Sequence, residues 1–261
     1  MDKYGITIQA LSQTTPVLLG FNAEAAAELC RVSNNDNYKL CKAYPDRFVN
    51  ICIISLLDLQ SALHELQRCV NELDCRGVTI SSNQNGRGLD SLEYYPFYEK
   101  MVEHNLPILL HGTHWDCSPL MDMEHSWRFL HVFGWDYDST QAIWRLIFGG
   151  VLDRFPSLKI ITHHLGNYIP FFFRRIELNV NRHLPNQLPR NISEYWGNIY
   201  GDTAVDGTPG AFPCGYAFFG ADRILYGSDY PFGPEAGKDF VRENLACVKT
   251  MYIPPEEKKR F

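Results

Sequence analysis

The run Pro107-Ile108-Leu109-Leu110-His111-Gly112 is apolar from its start to a single polar ending. A strand with one exposed face alternates between apolar and polar residues, and this run does not. Continuous short apolar runs are typical of strands buried on both faces of a parallel sheet. We therefore predict a buried strand over Pro107–His111.

Six further runs of this kind lie on either side of it, and they are Ile6–Leu11, Val49–Ile54, Gly77–Ile80, Leu158–His164, Ile199–Thr203 and Arg223–Asp229. The segments between them have helical character. Apolar residues recur at helical spacing over positions 59–73, after Asp58, which we predict to be the N-cap. Asp90 and Glu93 resemble a capping box that opens a helix over Leu92–Val102.

The alternation of strands and helices predicts βα units and an α/β fold of the (β/α)8 barrel type. Seven of the eight strands of such a barrel are visible in the sequence. The length of 261 residues agrees with one barrel, which needs about 250 residues. No low-complexity linker interrupts the chain, so we expect residues 1–261 to form a single domain.

Composition excludes several classes of protein. Hydrophobic residues make up 45% of the chain and charged residues 21%, which is typical of a globular protein and excludes a disordered one. The net charge of −6, without a basic cluster, argues against a nucleic-acid partner. The apolar runs are too short to span a membrane. We expect neither nucleic acid nor a membrane as a partner.

The eight cysteines contain no CxxC pair and no zinc-finger spacing. Several lie in apolar stretches, as Cys52 does between Ile51 and Ile53. Reduced thiols that pack as small apolar side chains explain this pattern. The N-terminal residues do not resemble a signal peptide. We therefore expect a cytoplasmic location.

Polar residues end four of the predicted strands. His111, the pair His163-His164, Asp202 and Asp229 each follow an apolar run. A single histidine at a strand end is more often a hydrogen-bonded core residue than a ligand. Four strand ends of this kind on one rim favour a site, because barrel active sites lie at the carboxyl ends of the strands. Imidazole and carboxylate suit zinc or a similar divalent ion.

Two histidine assignments stay open from the residues alone. Adjacent residues of a strand face opposite sides, so we expect only one of His163 and His164 to face the barrel interior. Spacing does not decide between them. His125 and His131 lie in the tryptophan-rich segment Trp115–Tyr137, where we expect surface or packing roles.

Several motifs, spread over nearly the whole chain, resemble the amidohydrolase superfamily; they are Gln9–Ser12, Tyr44–Val49, Leu146–Val151, Arg154–Ile160 and Gly227–Phe232. Within the superfamily they are similar to the branch of aminocarboxymuconate semialdehyde decarboxylase and the resorcylate-type decarboxylases. The resemblance implies a (β/α)8 barrel that holds one divalent metal ion, usually zinc.

The resemblance also implies roles for individual residues. The middle-strand metal ligand of the family falls on His111, and the last-strand ligand, which also belongs to the catalytic group, falls on Asp229. The proton-transfer histidine falls on His164. The arginine that binds a substrate carboxylate across a dimer interface falls on Arg175, which implies a homodimer.

Two departures from the family pattern bear on these roles. No His-x-His or Glu-x-His pair precedes Ile6, and the C-terminal helix of the family is cut short at Phe261. We therefore expect the first strand, with its ligand pair, to be missing and the chain to be part of a longer enzyme; the alternative is a seven-stranded relative that has lost the metal. His111-Gly112-Thr113-His114 replaces a His-Pro-Trp-Asp pattern, which argues against the muconate substrate.

The resemblance favours a metal-dependent, non-oxidative decarboxylase that acts on a small unsaturated or aromatic carboxylic acid. The same parts would serve a hydrolase of a lactone or an amide, which is the second hypothesis. A metal-free barrel with a binding role is the third.

Overall fold

The computed structural model describes residues 1–14, 18, 20–113 and 130–258. His114 and His125 lie outside this part of the chain. The chain divides into two compact units, Met1–Ile160 and Ile161–Phe261. In the described ranges, no helix has both the length and the apolar character needed to cross a membrane.

The first unit contains a parallel sheet. Its strands are β1 (Gln9–Leu11), β2 (Phe48–Ile53), β3 (Cys75–Ser81) and, after a short antiparallel hairpin of β4 (Asn83–Gln84) and β5 (Arg87–Gly88), β6 (Ile108–His111). The parallel strands lie in the order β1-β2-β3-β6. Ser81 pairs with His111, so β3 and β6 end at the same level.

Helices follow these strands along the chain. They are α1 (Ala23–Ala43), α2 (Leu59–Glu72), α3 (Tyr95–Glu103), α4 (Trp135–Phe148), which a π-helical turn precedes, and α5 (Val151–Arg154). Asn22 caps α1 and Asp58 caps α2, each through its side-chain oxygen. The cap predicted at Asp58 is therefore confirmed.

The second unit has the same alternation. Its elements are β7 (Ile160–Thr162), which begins at the unit boundary, α6 (Ile169–His183), α7 (Ile192–Tyr195), β8 (Ile199–Asp202), α8 (Ala211–Phe219), β9 (Ile224–Leu225), α9 (Lys238–Thr250) and α10 (Pro255–Lys258). Strands β8 and β9 are parallel, and Asp202 pairs with Leu225. The carboxyl end of β8 therefore lies beside β9.

All seven predicted strands are present, but several are shorter than the apolar runs. The first begins at Gln9 rather than Ile6. The Arg47 guanidinium donates to the carbonyls of Ile6 and Thr7 at 3.1 and 2.9 Å, so these groups bond a side chain and not a neighbouring strand.

The predicted capping box was wrong. Residues 92–94 form a 3₁₀ turn, and α3 begins only at Tyr95. Asp90 instead accepts a hydrogen bond from Arg145 at 2.7 Å, and Glu93 pairs with Arg87. Ion pairing with Arg145, which is distant in sequence, and with Arg87, six residues before Glu93, takes both carboxylates away from the helix start.

A buried polar network joins α1, α2 and β2. Asn34, which is fully buried, accepts from Ile53 N at 2.7 Å and donates to Ile53 O at 3.0 Å and to Glu65 at 2.8 Å. Arg68 forms two hydrogen bonds to Glu65. Burial tends to raise the pKa of Glu65, but the bonds from Arg68 and Asn34 outweigh it and lower the pKa. The Asn34 amide thus bonds both backbone groups of Ile53, on the side of that residue away from its β3 partner Thr79.

Replacing Asn34 with leucine should lower the free energy of unfolding by about 2–4 kcal/mol, because both backbone groups of Ile53 lose a buried partner. Urea unfolding measures the change. Asn71→Leu, at an exposed position on α2, is the matched control and should stay within about 0.5 kcal/mol of wild type. Equal stability of the two variants would contradict the role given to Asn34.

Candidate active site

His111 is the last residue of β6 and is 8% exposed. Its Nδ1 lies 2.6 Å from the carbonyl oxygen of Gly112. A carbonyl oxygen only accepts hydrogen bonds, so Nδ1 carries a proton, and in the neutral ring the lone pair lies on Nε2. This tautomer is the one in which a histidine binds a metal ion through Nε2.

The residue after His111 is glycine for a steric reason. A Cβ on Gly112 would lie 2.3 Å from the carbonyl oxygen of Trp135, the first residue of α4. The absent side chain lets the start of α4 approach the end of β6. The Trp135 ring lies 5.8 Å from the His111 ring, between centroids, and forms part of its wall.

Asp202, the last residue of β8, organises the strand ends of the second unit. One carboxylate oxygen lies 2.7 Å from His163 Nδ1, and the other accepts from the backbone N–H groups of His164 and Ala204, both at 3.0 Å. His164 Nδ1 in turn lies 2.5 Å from the carbonyl oxygen of Ala204. One buried carboxylate therefore holds both histidines and the loop after β8.

The Asp202 carboxyl is ionised in the folded protein. Burial tends to raise its pKa, but the His163 charge and hydrogen bond, the His164 charge and the Ala204 N–H together lower it below the usual value. An ionised carboxylate only accepts hydrogen bonds, so His163 Nδ1 carries a proton. His164 Nδ1 carries one as well, because its partner is a carbonyl. In the neutral form of each ring the lone pair therefore lies on Nε2.

Gly227, two residues after the end of β9, leaves room for the Asp202 carboxylate. A Cβ on Gly227 would lie 2.9 Å from Asp202 Cγ. Thr203 Oγ1 accepts from Gly227 N at 3.0 Å and donates to Gly227 O at 2.8 Å, which fixes the two chain segments side by side.

The rule by which only one of His163 and His164 was expected to face the barrel interior does not apply here, because neither residue belongs to a regular strand. β7 ends at Thr162, His163 is extended, and His164 and Leu165 have positive φ angles of 55° and 50°. The rule that neighbours face opposite sides needs a continuous pleat. The sharp turn brings both imidazoles to Asp202.

Asp229 is placed in the same electrostatic environment. Burial raises the pKa of its carboxyl, the charges of His164 and His163 oppose this rise, and the carboxylates of Asp202 and Asp206 add to it. Its φ angle is 58°. A partly buried carboxylate with a raised pKa is suited to bind a proton or a metal ion.

Arg175 lies on the exposed side of α6. Its guanidinium is 6.0 Å from the centroid of the Phe172 ring, and its backbone carbonyl accepts from Asn179. These contacts lie within its own helix. His131 packs against Trp135 with 4.8 Å between ring centroids, in line with a packing role.

A metal ion needs several ligand side chains at one point, and the described residues bear on whether such a point exists. Within them, no three histidine, cysteine, aspartate or glutamate side chains come together as a ligand set. His111 belongs to the first unit and Asp229 to the second. The described side chains therefore do not by themselves complete a metal site.

Sequence reasoning gave no role to Asp202 beyond its place at a strand end. The sequence signal for Asp202 was its position directly after the buried run Ile199–Gly201. The sequence could not indicate that the backbone carbonyls of Gly112 and Ala204 accept from the histidines, because every residue carries a carbonyl group.

A family model described as amidohydrolase matches residues 1–261. The chain belongs to the amidohydrolase family. It is 30% identical over 238 residues to 2-amino-3-carboxymuconate-6-semialdehyde decarboxylase of Dictyostelium discoideum, an alignment that covers 89% of this chain and 65% of the relative. This amidohydrolase thus spans just under two thirds of that relative's length.

Solved structures show the fold of this amidohydrolase. The crystal structure of 2,6-dihydroxybenzoate decarboxylase from Rhizobium matches with a TM-score of 0.88 and 25% identity over 100% of this chain and 82% of that one. The 5-carboxyvanillate decarboxylase of Novosphingobium aromaticivorans, with bound manganese, matches with a TM-score of 0.87 and 25% identity over 100% and 76%. The predicted α/β fold of the (β/α)8 barrel type and the decarboxylase branch are confirmed.

Asp202→Asn should flatten the acid dependence of stability. A carboxyl whose folded pKa is lowered stabilises the fold above its unfolded pKa, about 3.9, and this contribution is lost as pH falls through the folded pKa. The variant should be less stable than wild type by about 1–3 kcal/mol at pH 7, and the difference should shrink below about pH 4.

Urea unfolding of chelator-treated protein at several pH values measures this effect. Asp46→Asn, at an exposed position, is the control and should follow wild type at every pH. A difference between Asp202→Asn and wild type that does not change with pH would show that the carboxylate charge is not the stabilising feature.

Proposed function

We propose that this chain is a carboxy-lyase, a non-oxidative decarboxylase of a small unsaturated or aromatic carboxylic acid. The arrangement of His163 and His164 around the ionised Asp202 carries the proposal, because it supplies positioned proton-transfer groups at a strand end. Family membership and the decarboxylases among the relatives support it.

Decarboxylation requires that one proton be delivered to the carbon that loses the carboxylate. When the bond between the carboxylate and its carbon breaks, carbon dioxide leaves and the electron pair of that bond stays on the carbon. The protonated His164 imidazole then donates its Nε2 proton to that carbon, and a C–H bond forms. The carboxylate and the imidazolium are thereby converted into a C–H group, carbon dioxide and neutral imidazole. Ala204 O holds the Nδ1 proton throughout, which keeps Nε2 as the reacting atom.

Asp202 supports this transfer without contacting the substrate. Its negative charge stabilises the positive charge of a protonated imidazole, and its bond to His164 N fixes the backbone of that histidine. A carboxylate that orients and stabilises a catalytic histidine is a recurrent arrangement in enzymes. We assign Asp202 the role of a positioning residue.

A divalent cation belongs to this proposal, with His111 and Asp229 among its ligands. The His111 tautomer, the character of the Asp229 carboxyl and the manganese bound in a related decarboxylase support it. Such an ion would supply Lewis-acid polarisation of a substrate oxygen. Zinc, which the family resemblance implied, is the narrower form of the proposal.

Three further assignments are part of the proposal. In a homodimer, Arg175 binds the carboxylate of the substrate held in the active site of the partner subunit. Its guanidinium is exposed, and two of its N–H donors match the two oxygens of a carboxylate. Residues 1–261 act as a single barrel domain. The location is cytoplasmic, in line with the free thiols of the seven cysteines in the described part of the chain.

The proposal predicts carbon dioxide release from an acid of the class that the relatives use. Purified protein supplied with manganese or zinc is incubated with 2,6-dihydroxybenzoate, 5-carboxyvanillate and related acids, and carbon dioxide is measured. His164→Ala should lower kcat by about 10²–10⁴-fold, the usual contribution of a general acid. His183→Ala, exposed at the end of α6, is the control and should retain wild-type turnover.

Retention of most turnover in His164→Ala would remove this histidine from the mechanism. Wild-type protein that releases no carbon dioxide but opens lactones or amides would replace the decarboxylase with the hydrolase hypothesis. Absence of both activities, with specific ligand binding, would favour a barrel with a binding role.

A further inference from the structure

Asn244 is a polar residue on the buried face of α9. The buried residues of this helix are Val241, Asn244, Cys247 and Val248, and Asn244 is completely inaccessible to solvent. Burying an amide costs free energy unless its donor and acceptor groups find partners, whereas an apolar side chain would pack there without that requirement. The partners of the Asn244 amide therefore indicate why a polar residue occupies this position.

The Asn244 amide bonds two chain segments that follow strands of the second unit. Its Oδ1 accepts from Gly207 N at 2.7 Å, and its Nδ2 donates to Gly227 O at 3.4 Å. Gly207 belongs to the loop of residues 203–208 after β8, and Gly227 belongs to the segment of residues 226–229 after β9. Because β8 and β9 are neighbours, one buried side chain contacts the chain at the carboxyl ends of both strands.

The two segments also bond each other and the backbone of α9. Thr203 Oγ1 accepts from Gly227 N at 3.0 Å and donates to Gly227 O at 2.8 Å. Tyr226 Oη donates to Val241 O at 3.0 Å. The segments therefore form one unit that rests on α9, and Asn244 bonds both parts of it.

The turn at residues 205–208 packs directly against α9. A backbone hydrogen bond of 2.9 Å joins its ends, and Asp206 and Gly207 at its centre have positive φ angles of 52° and 71°. A Cβ on Gly207 would lie 2.4 Å from Cβ of Glu243, so the absent side chain lets the turn approach the helix. Cys247 Sγ donates to Gly207 O at 3.4 Å. Side chains of α9 thus bond both the amide and the carbonyl of Gly207.

Both segments carry groups that the proposed reaction uses. Ala204 O, in the loop after β8, accepts the hydrogen bond from Nδ1 of His164. Asp229 ends the segment after β9. Partial burial raises the pKa of the Asp206 carboxyl and the His164 charge opposes this rise, so the turn lies within electrostatic reach of that histidine. A shift of either segment on α9 would therefore move a group of the candidate site.

We propose that Asn244 is a positioning residue of the candidate active site, and that it holds the segments with Ala204 and Asp229 in place on α9. The inference rests on the proposed function, because it assigns Asn244 to the same reaction. Asn244 acts through these two groups and not by contact with the substrate. Such a role matters for the rate, since a misplacement of about 1 Å can lower a rate by about 10²-fold.

Asn244→Leu removes both hydrogen bonds and keeps a side chain of similar shape. With the acid that wild-type protein decarboxylates, its kcat should fall by about 10–100-fold. KM should change little, because the lost bonds act on the two segments and not on the substrate. In ¹⁵N-labelled protein treated with chelator, the backbone amide signals of Ala204 and Asp229 should move away from their wild-type positions.

Val248→Ala is the matched control, because it removes buried contacts of α9 without removing a side-chain bond to either segment. It should lower the free energy of unfolding, measured in urea, and leave kcat and the signals of Ala204 and Asp229 unchanged. Wild-type kcat in Asn244→Leu, unmoved signals of both residues, or equal effects in the two variants would overturn the proposal.

Asn244→Asp provides the test if the leucine variant does not fold, because aspartate has the same shape as asparagine. It keeps an oxygen for Gly207 N and replaces the donor to Gly227 O with an acceptor. The Asp229 signal should therefore move and kcat should fall. A variant that matches wild type in both measurements would overturn the proposal.

Failure of the two proposals is distinguishable, because the NMR signals do not depend on turnover. Signals of Ala204 and Asp229 that move in Asn244→Leu, in a protein that decarboxylates no acid, reject the decarboxylase alone. Decarboxylation that Asn244→Leu leaves intact rejects the positioning role alone.

Discussion

An oxygen acceptor at Nδ1 fixes the tautomer of each strand-end histidine, and the chemistry of the candidate site depends on this constraint. For His111 the acceptor is the carbonyl of Gly112, for His164 it is the carbonyl of Ala204, and for His163 it is the carboxylate of Asp202. Because the proton is held at Nδ1, Nε2 of each neutral ring carries the lone pair that a cation or a proton can bind. In all three neutral imidazoles the fold thus leaves the lone pair on the same ring nitrogen, Nε2.

The buried charge of Asp202 gives the second unit its local structure. Leaving a carboxylate unpaired in the interior is costly, so the surrounding chain must provide donors. The backbone meets this demand by leaving the regular strand after Thr162 and turning through positive φ angles at His164 and Leu165. The strained turn and the paired histidines therefore have one physical cause, and they occur where a barrel enzyme performs its chemistry.

Continuous apolar runs were sufficient to predict all seven strands, because burial on both faces of a sheet leaves a signal in consecutive residues. The strand-end positions of His111 and Asp202 followed from the same runs, whereas Asp229, predicted to end the last strand, lies beyond the end of β9 at Leu225. The role of Asp202, the joint placement of His163 and His164 and the capture of Asp90 by Arg145 did not follow. Each of these depends on a partner distant in sequence or on a backbone carbonyl, and neither leaves a local pattern.

The tautomers of the strand-end histidines are the most direct test of this account. Protein labelled with ¹⁵N in its histidine rings, treated with chelator and held at a pH where the imidazoles are neutral, is examined by two-dimensional NMR. The account predicts that His111, His163 and His164 all carry the proton on Nδ1 and the lone pair on Nε2. A proton on Nε2 of neutral His164 or His111 would contradict it, because the atom assigned to proton transfer or to the metal would then be the wrong one.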